Sequence, residues 1–218
     1  MKKIISYSLY GSDPKYLKGV NENIQLASYY YPDWTLRLYT DQDLPEDYYQ
    51  HTNVEIVKKK KEPGHLGLFW RFEPLMDISI DYIICRDLDS RLGPREVSAV
   101  NEWIESGKSF HIMRDHLQHG AFICGGMWGA SNKFIQRIAP TYSSLLSTYL
   151  QSLPFSAQSH HRGPYFNTDQ PFLWRYVWPM VINNHIAHIR DLPNLRFTGN
   201  ERLFPIENPD KTFVGQPI

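Results

Sequence analysis

The stretch Ile83–Gly93, IICRDLDSRLG, decides how the rest of the chain is read. Ile83, Ile84 and Cys85 form an apolar run of the kind that ends a buried strand. Two carboxylates, Asp87 and Asp89, follow it. In extended backbone residues 87 and 89 point to one side, with Leu88 opposite. Like charges held together cost energy unless a cation or a proton relieves them. A hard divalent ion, Mn²⁺ or Mg²⁺, meets that need and leaves positions open for a substrate's phosphates. A charged turn meets it differently, with Asp87 paired to Arg86 and Asp89 to Arg91. Those arginines equally suit the diphosphate end of a ligand, because a planar fork matches phosphate oxygens.

Upstream, the pattern predicts a strand over 3–10 and a helix begun by Asp13-Pro14. That helix carries Leu17, Val20, Ile24, Ala27 and Tyr31 at helical spacing. Strands follow over 34–40 and 54–57, then a helical pattern over 66–76 and a strand over 82–85. This is an α/β layout, and such sheets hold their ligands beyond the carboxyl ends of their strands, where Asp87 and Asp89 fall. Downstream, a helix over 97–106 and a strand over 110–113 precede an apolar segment, 121–130, broken by Gly125, Gly126 and Gly129. A long helix over 134–153 bent at Pro140, a helix over 169–178 and a strand over 186–189 complete the pattern, followed by an irregular tail. The segment Ser156 to Pro164 reads as a mobile loop.

Composition excludes several classes. Lys plus Arg (23) balances Asp plus Glu (23), so no nucleic-acid partner is expected, and KKKK at 58–61 reads as a solvated turn. Cys85 and Cys124 sit in apolar runs as reduced core residues. The apolar stretch after Lys2 and Lys3 is too short for a signal peptide, and no run approaches the roughly 20 residues of a membrane span. A cytoplasmic protein is expected (host cytoplasm, if the chain is viral). Its 218 residues read as a single domain, with a nucleotide-binding half to about residue 93 and a sugar- and acceptor-binding half after it. The ending FVGQPI leaves room for further domains of a longer polypeptide.

With these surroundings Asp87-Leu88-Asp89 resembles the metal-binding motif of GT-A-type glycosyltransferases. The chain is similar to the small retaining nucleotide-sugar transferases akin to bacterial galactosyltransferases and glycogenins. It is also similar to compact GT-A domains of large-virus and bacterial glycan-building enzymes. The resemblance runs from SYSLYG to FVGQ. It implies a GT-A fold, a mostly parallel Rossmann-like central sheet flanked by helices. It implies Mn²⁺ or Mg²⁺ at Asp87 and Asp89, with a UDP-sugar as donor and a carbohydrate or glycoprotein as acceptor. Ser8, Leu9, Tyr10 and Gly11 match the loop that holds base and ribose, and Arg71 matches a basic residue approaching the donor. Arg86 stands behind Arg71 as a second phosphate ligand. Gly125 and Gly126 match a glycine-rich segment against the sugar, with Trp128 as a wall. Asp169 and Gln170 match an Asp-Gln pair beneath the sugar, although Asp169 also suits a helix cap. His188, with His185 as the alternative, matches a third metal ligand.

The resemblance implies transfer of a hexose or deoxyhexose to a hydroxyl with retention. Gln170 is a poor nucleophile, so the leaving phosphate would take the acceptor's proton. An inverting reaction would need a base, for which Asp115, Asp169 and His116 are the candidates. Two other readings compete. Haloacid-dehalogenase-like phosphohydrolases also place Asp-x-Asp after a strand, usually the first of their core. A non-catalytic carbohydrate-binding module would explain the aromatic residues.

Overall fold

The computed structural model describes residues 1–207 and 212–218. Its frame is an eight-stranded sheet: β1 (Lys3–Leu9), β2 (Thr35–Thr40), β3 (Val54–Lys58), β4 (Tyr82–Cys85), β5 (Phe110–Arg114), β6 (Trp128–Ser131), β7 (His185–Ile189) and β8 (Glu201–Leu203). The strand order is β3-β2-β1-β4-β6-β5-β7-β8. Only β6 runs antiparallel to its neighbours, β4 and β5, so the sheet is mixed and mostly parallel. Helices α1 (Pro14–Tyr30) and α2 (Pro94–Ser106) cover one face. The other face carries α3 (Asn132–Ile138), α4 (Tyr142–Ser152) and the helical segment from Asp169 to Val181.

The first half follows from its pattern. Asp13 caps α1 by accepting from the Lys15 amide at 3.1 Å, and Pro14 occupies the first turn, where no amide proton is needed. Val20, Ile24 and Ala27 form the buried stripe, packed against Ile5 and Tyr7 of β1 and Leu36 and Leu38 of β2. Strand β1 is buried on both faces, as a central parallel strand must be. Ser6 pairs with Cys85, so β1 and β4 end at the same edge of the sheet. Cys85 and Cys124 are free and buried, as expected.

Four elements differ from the sequence pattern. Residues Leu66–Met76 wind as a 3₁₀-helix rather than an α-helix. Ser6 Oγ donates to the Arg71 carbonyl at 2.7 Å, and the Arg71 amide donates to Ser8 Oγ at 2.9 Å. Side chains of β1 thus satisfy the backbone groups that an α-helix would pair internally, and Pro74 cannot donate at all. The expected bent helix over 134–153 is two helices, parted at Pro140. The expected helix over 169–178 contains a π-helical turn at Leu173–Val177, flanked by Pro171 and Pro179. Strand β8 lies within the tail read as irregular, because ERL is too short and polar to signal a strand. The Ser156–Pro164 segment begins in a short helix, Phe155–Gln158. It is tied down by His65 N–H to the Pro164 carbonyl (2.8 Å) and Tyr165 N–H to the Ala157 carbonyl (2.7 Å).

Candidate active site

At the carboxyl ends of β1 and β4 lies a cavity of about 470 Å³. Ser8 and Tyr10 reach it from the end of β1, and Asp87 and Asp89 from the loop after β4. Gly125, Asp169 and Gln170 also line it, and Arg71 bridges Asp87 and Asp169. The placement suits a ligand site in a sheet of this kind.

Arg71 is the hub. Its side chain is 4% exposed. Nη2 donates to Asp169 Oδ2 at 2.8 Å, Nη1 donates to Asp87 Oδ1, and Nε has no hydrogen-bond partner among the described residues. Burial works against its charge, yet Asp87 and Asp169 hold its pKa above the ordinary arginine value. Burial pushes the Asp169 carboxyl up while Arg71 pulls it back, leaving it above the usual carboxylate value. Asp169 also accepts from the Gln170 amide at 3.0 Å, and Gln170 Nε2 donates to Asn167 Oδ1 at 2.6 Å. Asn167 and Tyr165 both hold positive φ (56° and 61°), an uncommon backbone state for residues with a Cβ.

The glycines act on protein rather than on open space. A Cβ on Gly125 would sit 2.7 Å from Arg71 Nη2 and 3.1 Å from the Asp169 carboxyl carbon. A Cβ on Gly126 would sit 2.5 Å from the Asp87 carboxyl carbon. Both positions must be glycine for the ion-pair cluster to close against the 125–126 backbone.

The sequence-predicted residues divide into two groups. Ser8, Tyr10, Arg71, Asp87, Asp89, Gly125, Asp169 and Gln170 converge on the cavity. The others do not. Leu9 is buried between β1 and α1. Gly11 forms a turn at φ 76°, its carbonyl accepting from Gln42. Arg86 points to the opposite face, where Nε donates to Glu96 at 3.0 Å and Nη1 to the Cys85 and Trp128 carbonyls. It is neither a phosphate ligand nor the partner of Asp87. Arg91 pairs with Glu22, not Asp89. Trp128 is fully buried and stacks on Phe110 (centroids 5.3 Å), so its ring walls the core rather than the cavity.

Asp115 is fully buried and paired to Arg95 (2.9 and 3.0 Å), Arg190 (3.3 Å) and the Val214 amide (3.0 Å). It locks the tail onto β5 and is no base. His116 stacks on Phe213 at 4.1 Å. His188 is fully buried, with Nδ1 2.8 Å from His111 Nε2 and Nε2 3.3 Å from Glu102. His185 lies against the Val181 and Ile182 carbonyls. Neither histidine lines the cavity holding Asp87 and Asp89. Among the described residues no group of three or more His, Cys, Asp or Glu side chains is arranged to hold a metal. The expected third ligand is therefore corrected.

The carboxylate pair still fits a divalent ion by its donor chemistry. Hard ions such as Mg²⁺ take one or two protein carboxylates and complete their shell with phosphates and water. Asp87 and Asp89 both open onto the cavity. The mutual repulsion raised by the sequence is met within the chain by cations on either side, Arg71 at Asp87 and Lys15 at Asp89 (Nζ to Oδ2, 3.3 Å).

Sequence reasoning missed Lys15, Tyr16, His65 and Asn167. Tyr10 and His65 meet through Tyr10 Oη and Nδ1 at 3.3 Å, and His65 Nε2 lies 3.0 Å from the Arg162 carbonyl. Lys15 was signalled weakly, as a basic residue in the first turn of a helix, where the dipole disfavours it unless an acid stands opposite.

No protein-family profile and no curated protein sequence matches the chain. Solved structures do. One is a glycosyltransferase involved in the glycosylation of the major capsid of PBCV-1. It is 14% identical with a TM-score of 0.51, and the match covers 87% of this chain and 82% of that one. Another is S. aureus TarS, residues 1–349, at 10% identity and a TM-score of 0.52, covering 85% and 57%. At such identities the likeness is one of fold. The chain has a GT-A-like α/β fold, with a mixed, mostly parallel sheet flanked by helices. Among the described residues no helix is long and apolar enough to cross a membrane.

Proposed function

We propose that the chain is a metal-dependent glycosyltransferase that moves a hexose or deoxyhexose from a UDP-sugar to a hydroxyl of a carbohydrate or glycoprotein acceptor. Residues 1–218 would act as one catalytic domain. The observation that carries this reading is the convergence of Asp87 and Asp89, at the end of β4, with Asp169 and Gln170 on one cavity of about 470 Å³. A nucleotide-sugar needs a deep cleft with polar groups at both its diphosphate and its sugar ends. The GT-A-like fold agrees with it.

In this reading Ser8 and Tyr10 hold the nucleoside at the end of β1. Asp87 and Asp89 would hold Mn²⁺ or Mg²⁺, which supplies charge neutralisation at the donor diphosphate when bound. Arg71 keeps the Asp87 and Asp169 carboxylates in fixed positions and contributes a buried positive charge near the departing phosphate. Preorganised charge of this kind lowers the barrier because it is set before the reaction begins. Asp169 and Gln170 orient the sugar.

Retention is the stereochemistry we favour. Both Asp169 oxygens are engaged by Arg71 and the Gln170 amide, and Asp115 is enclosed among arginines. Neither is a free base on the far face. The acceptor proton then passes to the departing phosphate oxygen as the acceptor oxygen bonds to the anomeric carbon.

A donor screen with Mn²⁺, with NMR of the product's anomeric configuration, tests the proposal. Release of UDP from at least one UDP-sugar is expected. Release of inorganic phosphate from simple phosphate esters, without UDP-sugar turnover, would replace it with the phosphohydrolase reading. Binding of sugars without turnover or metal dependence would replace it with the binding-module reading.

A further inference from the structure

The cavity has a charge deficit for the ligand proposed. Three carboxylates open onto it or underlie it, Asp87, Asp89 and Asp169. Arg71 is the sole lysine or arginine among its described lining residues. Both terminal nitrogens of that guanidinium are already committed to Asp87 and Asp169, and the group is buried. Without a divalent ion, a diphosphate entering this arrangement would meet net negative charge, and with one the site is only neutral.

One further cation stands at the rim. Lys15, on the first turn of α1, has Nζ 3.3 Å from Asp89 Oδ2 and 4.6 Å from the centre of the Tyr16 ring, itself a cavity wall. Its side chain is 42% exposed, so the ammonium can swing without opening the core. An exposed lysine–carboxylate pair is weak and exchangeable, and lysine binds phosphate as a mobile point charge.

We propose that Lys15 is an exchange cation of the donor site. In the free protein it neutralises Asp89. When a divalent ion takes Asp89, Lys15 is released to the donor's diphosphate. Lys15 and the metal therefore compete for one carboxylate but cooperate on the nucleotide. This rests on the glycosyltransferase reading above and assigns a diphosphate-binding residue that the sequence pattern signalled only weakly.

The exchange makes a prediction of opposite signs, testable by isothermal titration on the intact chain with Mn²⁺ alone and then with UDP at saturating Mn²⁺. Lys15→Met keeps the aliphatic stem and removes the charge. It should bind Mn²⁺ alone about three- to fivefold more tightly, the scale of one exposed ion pair. It should bind UDP about tenfold more weakly, the scale of one charge-assisted hydrogen bond. Lys15→Arg should return both affinities towards wild type. The inference is overturned if the two affinities move in the same direction, if neither moves, or if neither protein binds Mn²⁺. Failure of the wild-type chain to bind UDP at all would overturn the glycosyltransferase reading instead, which separates the two failures.

Discussion

Substituting Gly125 with alanine tests the packing on which the site depends. The added methyl would lie 2.7 Å from Arg71 Nη2 and 3.1 Å from the Asp169 carboxyl carbon. Ordinary carbon contacts are about 3.5–4.0 Å, so atoms must move by roughly half an ångström or more on two sides at once. Neither neighbour can yield freely. Arg71 is pinned through its backbone to Ser6 and Ser8 and through its side chain to Asp87 and Asp169. Asp169 is buried at the start of the helical turn Asp169–Phe172. Overpacking of this kind costs about 1–3 kcal/mol. For a chain of this size that lowers the thermal midpoint by about 2–12 °C, at 2–4 °C per kcal/mol. Gly120 is the control, since a Cβ there meets nothing nearer than the Leu117 carbonyl at 3.9 Å. Scanning calorimetry of Gly125→Ala and Gly120→Ala reads the difference directly. A Gly125→Ala midpoint within about 1 °C of the control would refute the claim that backbone, arginine and carboxylate are in closed contact.

Other outcomes follow from the remaining placements. Arg86→Met should lose about 3–5 kcal/mol in urea unfolding, because it strands the buried Glu96 carboxylate. UDP affinity of the folded protein should be unchanged, whereas a phosphate-ligand role for Arg86 requires that affinity to collapse. Asp115→Asn should likewise lower the unfolding midpoint, by loosening Arg95, Arg190 and the Val214 amide. The pH profile of any transfer it retains should match wild type, and loss of the acidic limb, where a general base titrates, would contradict the structural role. Burial, aided by neighbouring imidazoles, lowers the pKa of His111 and drives that of His119 down to about 4. Burial also lowers His188, against the pull of Glu102. The unfolded chain therefore binds these protons more readily, and stability present above the ordinary histidine value of 6.5 is lost as pH falls through the folded values. Urea midpoints should fall between about pH 6.5 and 4, less steeply in His119→Gln, and equal slopes would count against that assignment.

Much of the fold was legible because the first half of the chain obeys simple periodicities. The apolar runs at 3–10 and 82–85 announced central strands, and Asp13-Pro14 announced a helix. The position of Asp87 and Asp89 beyond such a strand then located the cavity edge. What failed to read out was side-chain direction on fully buried strands. Every residue of β7 is buried, so hydropathy does not say which face His188 takes, and it turned towards Glu102 and His111. Trp128 lies on β6, also buried throughout. Arg86 could have been placed, since period-two alternation puts it opposite Asp87, and Glu96 ten residues later offered its partner. Asp115 could not, because its arginines lie 20 and 75 residues away and only the fold brings them together. Arg71 also depends on tertiary context. Two serines of β1, more than sixty residues distant, fix its backbone, and nothing local in LFWRFEP announces them.

The central claim is that Asp87 and Asp89 form the metal and diphosphate end of a nucleotide-sugar site. Its most direct test is isothermal titration of UDP into the wild-type chain and into Asp87→Asn/Asp89→Asn, each with Mn²⁺ and with EDTA. Measurable binding is expected only for wild type with Mn²⁺, with the double variant still folded by circular dichroism. Equal UDP affinity with Mn²⁺ and EDTA, or unchanged Mn²⁺-dependent affinity in the folded double variant, would contradict it.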